Sequence, residues 1–201
     1  VIEVKPRILR KRPLSKSELN IIFGLLLGGG ELEIKDNARF KFSNELLIHI
    51  IKDKIKRIVN NVNIKNIIVT CYHQDLNKMY KEFYLNGKKT ISNNLDFMMN
   101  EESLAYWFLS GAKINDQQIR FDTSKYSLDE NKKLQSYLLR CFDLRSKIVE
   151  RMYKTKKYYG LYLNKKNSIK LYNIIEKYLV LHTLESSTTT CQTFKKNDDI
   201  V

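Results

Sequence analysis

Hydrophobic positions along the chain fall into blocks whose period changes from one stretch to the next. LNIIFGLLLG (19–28) is apolar nearly all round, which predicts a helix buried on most faces. Ser15 and Glu18 form an S-x-x-E capping box ahead of it, and Leu14 and Leu19 are spaced as a hydrophobic staple. Gly24 and Gly28 lie four apart, so they share a helix face on which another backbone can approach closely. The period then drops to two. ELEIK (31–35) sets Glu31, Glu33 and Lys35 against Leu32 and Ile34, and RFKFS (39–43) sets Arg39, Lys41 and Ser43 against Phe40 and Phe42, with Asp36-Asn37 as the turn. Helical spacing returns over 44–60. There Leu47, Ile48, Ile51, Ile55 and Ile58 make one face, and Lys52, Lys54, Lys56 and Arg57 surround it. NIIVTCYH (66–73) and KEFYLNGKKT (81–90) read as further strands, the second turning at Asn86-Gly87.

The same order then begins again. ESLAYWFLSGAK (102–113) is a second apolar helix ending in a glycine, and IRFDTS (119–124) is a strand. Ser127 and Glu130 form another capping box, opening a helix to about Phe142. KIVERMYKTKKYYGLYL (147–163) predicts a hairpin, NSIKLYNIIEKYL (167–179) a closing helix, and the chain from about 184 is a polar, Ser/Thr-rich tail. The repeat period is about 85 residues, too long for a solenoid. It predicts an α+β monomer with pseudo-twofold symmetry. Its halves, about 14–100 and 101–184, pack through the two apolar helices that open them, with a basic arm at 1–13 and the polar tail at 185–201.

Charge adds a partner to this outline. Thirty-six Lys and Arg against 22 Asp and Glu leave a net charge of +14 on 201 residues, which points to a polyanion, nucleic acid in preference to an anionic membrane. In the arm, Arg7, Arg10, Lys11 and Arg12 are placed to run along phosphates. Cys71, Cys141 and Cys191 are too few and too scattered for a disulfide framework or a zinc site, and His49, His73 and His182 are isolated. No run reaches the ~18 apolar residues of a membrane span, and no signal sequence is expected. Lys, Ile and Asn make up roughly a third of the chain, a bias of AT-rich coding DNA such as organellar genomes carry.

Two apolar helices opening the two halves, IFGLLLGGG (22–30) and LAYWFLSGA (104–112), resemble the paired motifs of the LAGLIDADG homing endonucleases. KKTISNNL (88–95) running into ESLAYWFLSGAK resembles the mitochondrial omega-intron branch of that family, and the resemblance covers about residues 14 to 184. It implies two αββαββα halves whose antiparallel sheets form a saddle lying along a nucleic-acid groove. It also implies a carboxylate at the end of each motif helix to hold the divalent ions that cut phosphodiesters, since such ions take hard oxygen ligands. The matching positions here are Gly29 and Gly111. With neither carboxylate present, the expectation is a protein with no cofactor and no nuclease activity. Glu31 and Asp116 are the nearest acids in sequence, and Glu31 is expected to point away from the pseudo-axis. Asp restored at 29 and 111 is expected to restore Mg²⁺ affinity if the helix ends still meet.

The expected role is therefore binding. Lys88 and Lys89 lie where the family draws a basic active-site residue, either as relics or as phosphate binders. Lys35, Arg39 and Lys41 on the first sheet, and Arg120, Lys147, Arg151, Lys154, Lys156 and Lys157 on the second, are the candidate nucleic-acid contacts. Glu31, Glu33, Asp122 and Glu150 fall on or near the same faces and would repel a phosphate backbone. Tyr153, Tyr158, Tyr159 and Tyr162 are available either to stack on unpaired bases or to pack in the hairpin. The reading favoured is an RNA-binding component of the mitochondrial ribosome, held on rRNA beside other ribosomal proteins, with no membrane and no homodimer required. A group I intron maturase and a DNA endonuclease with a rearranged metal site are the alternatives.

Overall fold

The computed structural model describes residues 12–63, 67–91, 93 and 95–183. Arg7, Arg10 and Lys11 of the arm, the tail from 185 and Cys191 lie outside the described residues. The first half runs α1 (Lys16–Leu27), β1 (Glu31–Ile34), β2 (Ala38–Ser43), α2 (Ile48–Lys54), β3 (Val59–Asn63), β4 (Ile67–Thr70) and α3 (Gln74–Phe83). A two-residue hairpin, β5 (Tyr84–Leu85) and β6 (Lys88–Lys89), leads to the second half. That half repeats the order as α4 (Glu101–Gly111), β7 (Ala112–Asn115), β8 (Gln118–Phe121), α5 (Leu128–Phe142), β9 (Ser146–Tyr153), β10 (Lys156–Leu163) and α6 (Lys165–Thr183). This is αββαββα twice, as expected, with four-stranded antiparallel sheets ordered β1-β2-β4-β3 and β7-β8-β10-β9.

Local chemistry sets the helix starts. Ser15 and Glu18 exchange both capping bonds, Ser15 N–H donating to Glu18 Oε2 at 2.7 Å and Glu18 N–H to Ser15 Oγ at 3.2 Å. Ser127 and Glu130 do the same for α5, and Asn100 with Ser103 for α4. Glu18 is also clamped by Arg57, whose Nε donates to Oε1 at 3.0 Å and whose Nη2 reaches both Oε2 and the carbonyl of Pro13. Burial works to raise the Glu18 pKa, but the Arg57 and Ser15 hydrogen bonds outweigh it and hold the carboxyl below its ordinary 4.5.

Three stretches depart from the sequence expectation. The helix expected over 44–60 is only α2, and 59–63 is a strand; Val59, Asn60 and Asn61 are weak helix formers, and pairing with β4 holds them extended. The five apolar residues of that block are buried all the same. Residues 74–83, to which no element was assigned beyond a strand from 81, form α3, capped by the His73 side chain and burying Leu76, Met79 and Phe83. Their i, i+3, i+7 spacing is the helical signal. Finally, 112–115 is strand β7, not the tail of α4, and pairs with β8 across a turn in which Asp116 and Gln117 both have positive φ.

The core is shared by both halves, and its centre is the contact of α1 with α4. Ile21, Ile22, Phe23, Leu25, Leu26 and Leu27 of α1 and Leu104, Ala105 and Trp107 of α4 are essentially inaccessible. The two backbones meet at the α1 glycines. A Cβ on Gly24 would stand 2.2 Å from the Ser103 carbonyl oxygen and 2.9 Å from Trp107 N, and one on Gly28 would stand 2.0 Å from Ser110 Oγ. Glycine at these two positions is thus a packing requirement, as the four-residue spacing predicts.

Two predictions follow from this packing. Gly24→Ala should destabilise the protein by at least about 2 kcal/mol, measured by urea unfolding, because the atoms it strikes are backbone. Glu18→Gln should cost about 2 kcal/mol at pH 7. A carboxyl whose pKa is lowered on folding stabilises above its unfolded value, and that stabilisation is lost as pH falls through the lowered one. The gap between wild type and Glu18→Gln should therefore narrow below pH 4.5, and a pH-independent gap would exclude the Arg57 clamp as its cause.

Candidate nucleic-acid interface

Strand register sorts the candidate cations by face. On the first sheet, Leu32, Phe40, Phe42 and Ile68 point into the core, so Glu31, Glu33, Arg39, Lys41 and Ser43 point outward. Arg39 and Lys41 are where the sequence put them, but Glu33 lies between them. Its Oε2 accepts from Arg39 Nη2 at 2.7 Å and pairs with Lys41 Nζ at 2.5 Å. Those two bonds, Lys41 first, hold the Glu33 carboxyl below 4.5. Arg39 also lies over the Tyr72 ring. The outward charge of the first sheet is therefore largely cancelled. Lys35 is not on the strand; it is exposed in the β1–β2 turn.

The second sheet differs. Lys113 pairs with Arg120, Arg120 and Lys147 both lie opposite Tyr162, Arg151 lies opposite Tyr158, and Lys156 opposite Tyr153. All share the outward face, opposite to Ile119, Phe121, Leu161 and Leu163 in the core. The Tyr162 ring is sandwiched, Arg120 at 5.5 Å and Arg151 at 5.8 Å from its centroid, with Arg151 Nη2 donating to its hydroxyl at 2.5 Å. Arg120 Nε is buried without a partner among the described residues. Two candidates leave this face. Lys157 lies on the other side of the hairpin, paired with Glu150 at 3.0 Å, and Lys154 sits in the β9–β10 turn with φ of 54°. Glu150 therefore does not oppose binding on the outward face. Of the four tyrosines only Tyr159 faces inward; Tyr153 is two-thirds exposed. Arg12 is exposed, and its carbonyl meets His73 Nε2 at 3.0 Å.

At the ends of α1 and α4 lie Gly29 and Gly111, the positions that the sequence resemblance sets against carboxylates. Around a Cβ at Gly29 nothing stands within 4 Å, whereas one at Gly111 would stand 3.0 Å from Gly28 Cα. One position thus has room for a side chain and the other has closed on its neighbour. Two lysine amino groups converge there. Lys89 Nζ donates to the carbonyl of Gly30 at 2.5 Å, and Lys125 Nζ donates to the carbonyl of Gly28. The two amino groups lie close enough to influence each other's charge. Desolvation, and then repulsion from Lys125, push Lys89 down to about 6; desolvation likewise lowers Lys125. Glu31, exposed on β1, is near enough to act on both lysines, and Asp122 on Lys125.

These donors do not fit a divalent cation. Among the described residues no three His, Cys, Asp or Glu side chains gather as a metal site, and the side chains that reach the two helix ends are the lysines Lys89 and Lys125. Lys88, by contrast, is exposed on β6. Sequence reasoning singled out Lys89 but missed Lys125, which sits in a loop with no periodicity to mark it. It also missed Lys113, which lies on a strand the sequence reading had assigned to a helix end.

Comparisons with known proteins agree with this architecture. The model of the LAGLIDADG DNA endonuclease family matches residues 19–171. The cytochrome b mRNA maturase bI2 of Debaryomyces hansenii is 28% identical over 167 residues, covering 72% of this chain; the chain spans only 62% of that protein's length. Among solved structures, the homing endonuclease I-WcaI bound to its DNA recognition sequence superposes with a TM-score of 0.71 at 22% identity, covering 88% of this chain and 91% of that one. I-DmoI in complex with DNA and Ca superposes at 0.53 and 12% identity, covering 83% and 98%. At such identities the two structures speak for the fold.

The ion-pair pattern predicts how binding responds to charge. Glu33→Gln releases Arg39 and Lys41 and should tighten nucleic-acid binding several-fold at low salt. The slope of log K against log salt should steepen by about 1–2, read by fluorescence anisotropy across a salt series. An unchanged slope would mean the first sheet does not face the backbone.

Proposed function

The chain belongs to the LAGLIDADG DNA endonuclease family, and we propose that it is a non-cleaving member that binds intron RNA as a maturase. The observation that carries this reading is the pair of glycines at the two motif ends, with the Lys89 and Lys125 side chains reaching the backbone beside them. Phosphodiester hydrolysis by bound metal ions requires oxygen ligands at the reacting centre, and Gly29 and Gly111 supply none. Binding needs none of this. The outward face of the second sheet keeps Lys113, Arg120, Lys147, Arg151 and Lys156 with Tyr153, Tyr158 and Tyr162 between them, a surface suited to phosphates and unpaired bases.

The maturase relative supports intron RNA over the ribosomal RNA that the sequence alone favoured. A cytochrome b transcript as that relative's target also fits the AT-rich coding bias, and supports a mitochondrial setting for this chain. The fold is one that I-WcaI and I-DmoI use on duplex DNA. The cancelled charge on the first sheet speaks against an equally strong two-sheet grip on a duplex here.

Two experiments test this. At matched salt the protein should bind folded group I intron RNA from its own mitochondrial transcripts at least tenfold more tightly than random duplex DNA, and should nick no DNA with Mg²⁺. Mg²⁺-dependent cleavage abolished by Glu31→Gln would overturn the reading in favour of a rearranged endonuclease. Separately, Gly29→Asp/Gly111→Asp should gain little Mg²⁺ affinity by calorimetry, because the new acids meet Lys89 and Lys125 first. Measurable Mg²⁺ binding should appear only when both lysines are also changed to Met.

A further inference from the structure

We propose that the cleft between α6, the start of α4 and the α5–β9 link holds a second stretch of RNA backbone, apart from the outward face of the second sheet. The cleft has a volume of about 900 Å³, and its charged lining is Arg145, Lys166, Lys170 and Lys177 with the acids Asp143 and Glu101. It opens on the helix side of the sheet. α6 buries Leu171, Ile175 and Leu179 against α4 and the second sheet, and Ser168 Oγ ties it there by accepting from Ile119 N–H at 3.0 Å. The other side of α6, with Lys166, Lys170 and Lys177, faces the cleft. None of the outward-facing cations of the second sheet lines it.

The charges in this cleft do not balance. Lys177 pairs with Glu101, and Lys170 Nζ meets Asp143 twice, donating to its carbonyl at 3.0 Å and to Oδ2 at 2.5 Å. Both acids are thereby engaged, yet Arg145 and Lys166 are also present, both exposed and both acting on the same Asp143 carboxylate. Lys170 first, then Arg145 and Lys166, hold that carboxyl below its ordinary 3.8. One carboxylate thus gathers three cations, a setting that suits a phosphate oxyanion. Helix stability does not call for it. Lys165 and Lys166 stand in the first turn of α6, where the helix dipole disfavours cations, and no acid in that turn offsets them. Asp143 itself is an exposed C-cap of α5 with φ of 51°, so an entering phosphate can share its cations without disturbing the core. Exposed Asn173 adds a side-chain amide that can bond a base edge or a 2′-hydroxyl. Charge complementarity selects a polyanion, and a folded RNA presents backbone to two faces of a protein at once.

The inference rests on the RNA reading above, and its test separates the two. Arg145→Gln/Lys166→Gln in the full chain should weaken binding of folded group I intron RNA about tenfold at low salt and lower the salt slope by about 1.5–2. Asp143→Asn, a substitution that a left-handed C-cap accepts, should tighten the same binding. Circular dichroism and thermal unfolding check that each variant is folded. In wild type, acetylation of Lys166 followed by mass spectrometry should slow when the RNA is bound. Equal affinity and slope in the double variant would overturn the cleft and leave the maturase reading standing, and weaker binding by Asp143→Asn would also overturn it. So would a Lys166 that reacts as fast in the complex as in the free protein, the result expected if an acidic protein segment is the true occupant. If the double variant loses affinity while wild type binds intron RNA no better than random duplex DNA, the maturase reading fails and the cleft stands as a backbone site.

Discussion

The whole architecture hangs on the contact between the backbones of α1 and α4. Each helix is apolar on nearly every side, so neither is soluble alone, and each half-sheet has one face to cover. Gly24 and Gly28 let the helices approach to the point where the Ser103 carbonyl and Ser110 Oγ occupy the volume of absent Cβ atoms. That closeness fixes how far apart the two sheets stand and how their outward faces are inclined. It also brings the ends of both helices to one spot between the sheets. The Lys89 and Lys125 side chains that reach the Gly30 and Gly28 carbonyls are positioned by the same packing. The packing contact and the functional centre are therefore one constraint, and a helix that slipped would lose both.

What occupies that centre has changed the electrostatics of the molecule. A site with two acids at the helix ends would need bound cations to balance it; here those positions are glycines and the side chains that reach them are lysines. The sheets have diverged in parallel. On the first, Glu33 ties up Arg39 and Lys41, while on the second Arg120 and Arg151 lie against Tyr162, with Asp122 the acid that acts on Arg120. A surface with one quiet and one strongly basic half suits an irregular partner with exposed bases better than a straight duplex spanning both halves.

Much of this was legible in the chain. Capping boxes at Ser15 and Ser127 and the apolar runs marked α1, α4 and α5, and the doubled order gave the two halves. Period-two alternation placed Arg39, Lys41, Arg120 and Arg151 on outward faces. The misses have physical causes. β3 is polar apart from Val59 and Val62, so its strand character comes from pairing with β4 and not from its own pattern. α3 was hidden because Tyr and Phe near its end mimic strand composition. Lys157 was misassigned because a hairpin tip carries charge on both faces, and Lys125 because a loop residue's target lies 97 positions away. Ion pairing was also beyond reach: alternation shows that Glu33 shares a face with Arg39 and Lys41, not that it holds both.

The most direct test of the central claim is ultraviolet crosslinking of the protein in its native mitochondria, followed by sequencing of the attached nucleic acid. The account predicts reads concentrated in one intron's RNA, with crosslinks mapping to β9–β10. Reads spread over ribosomal RNA would return the protein to the ribosome, and recovery of DNA alone would contradict the account altogether.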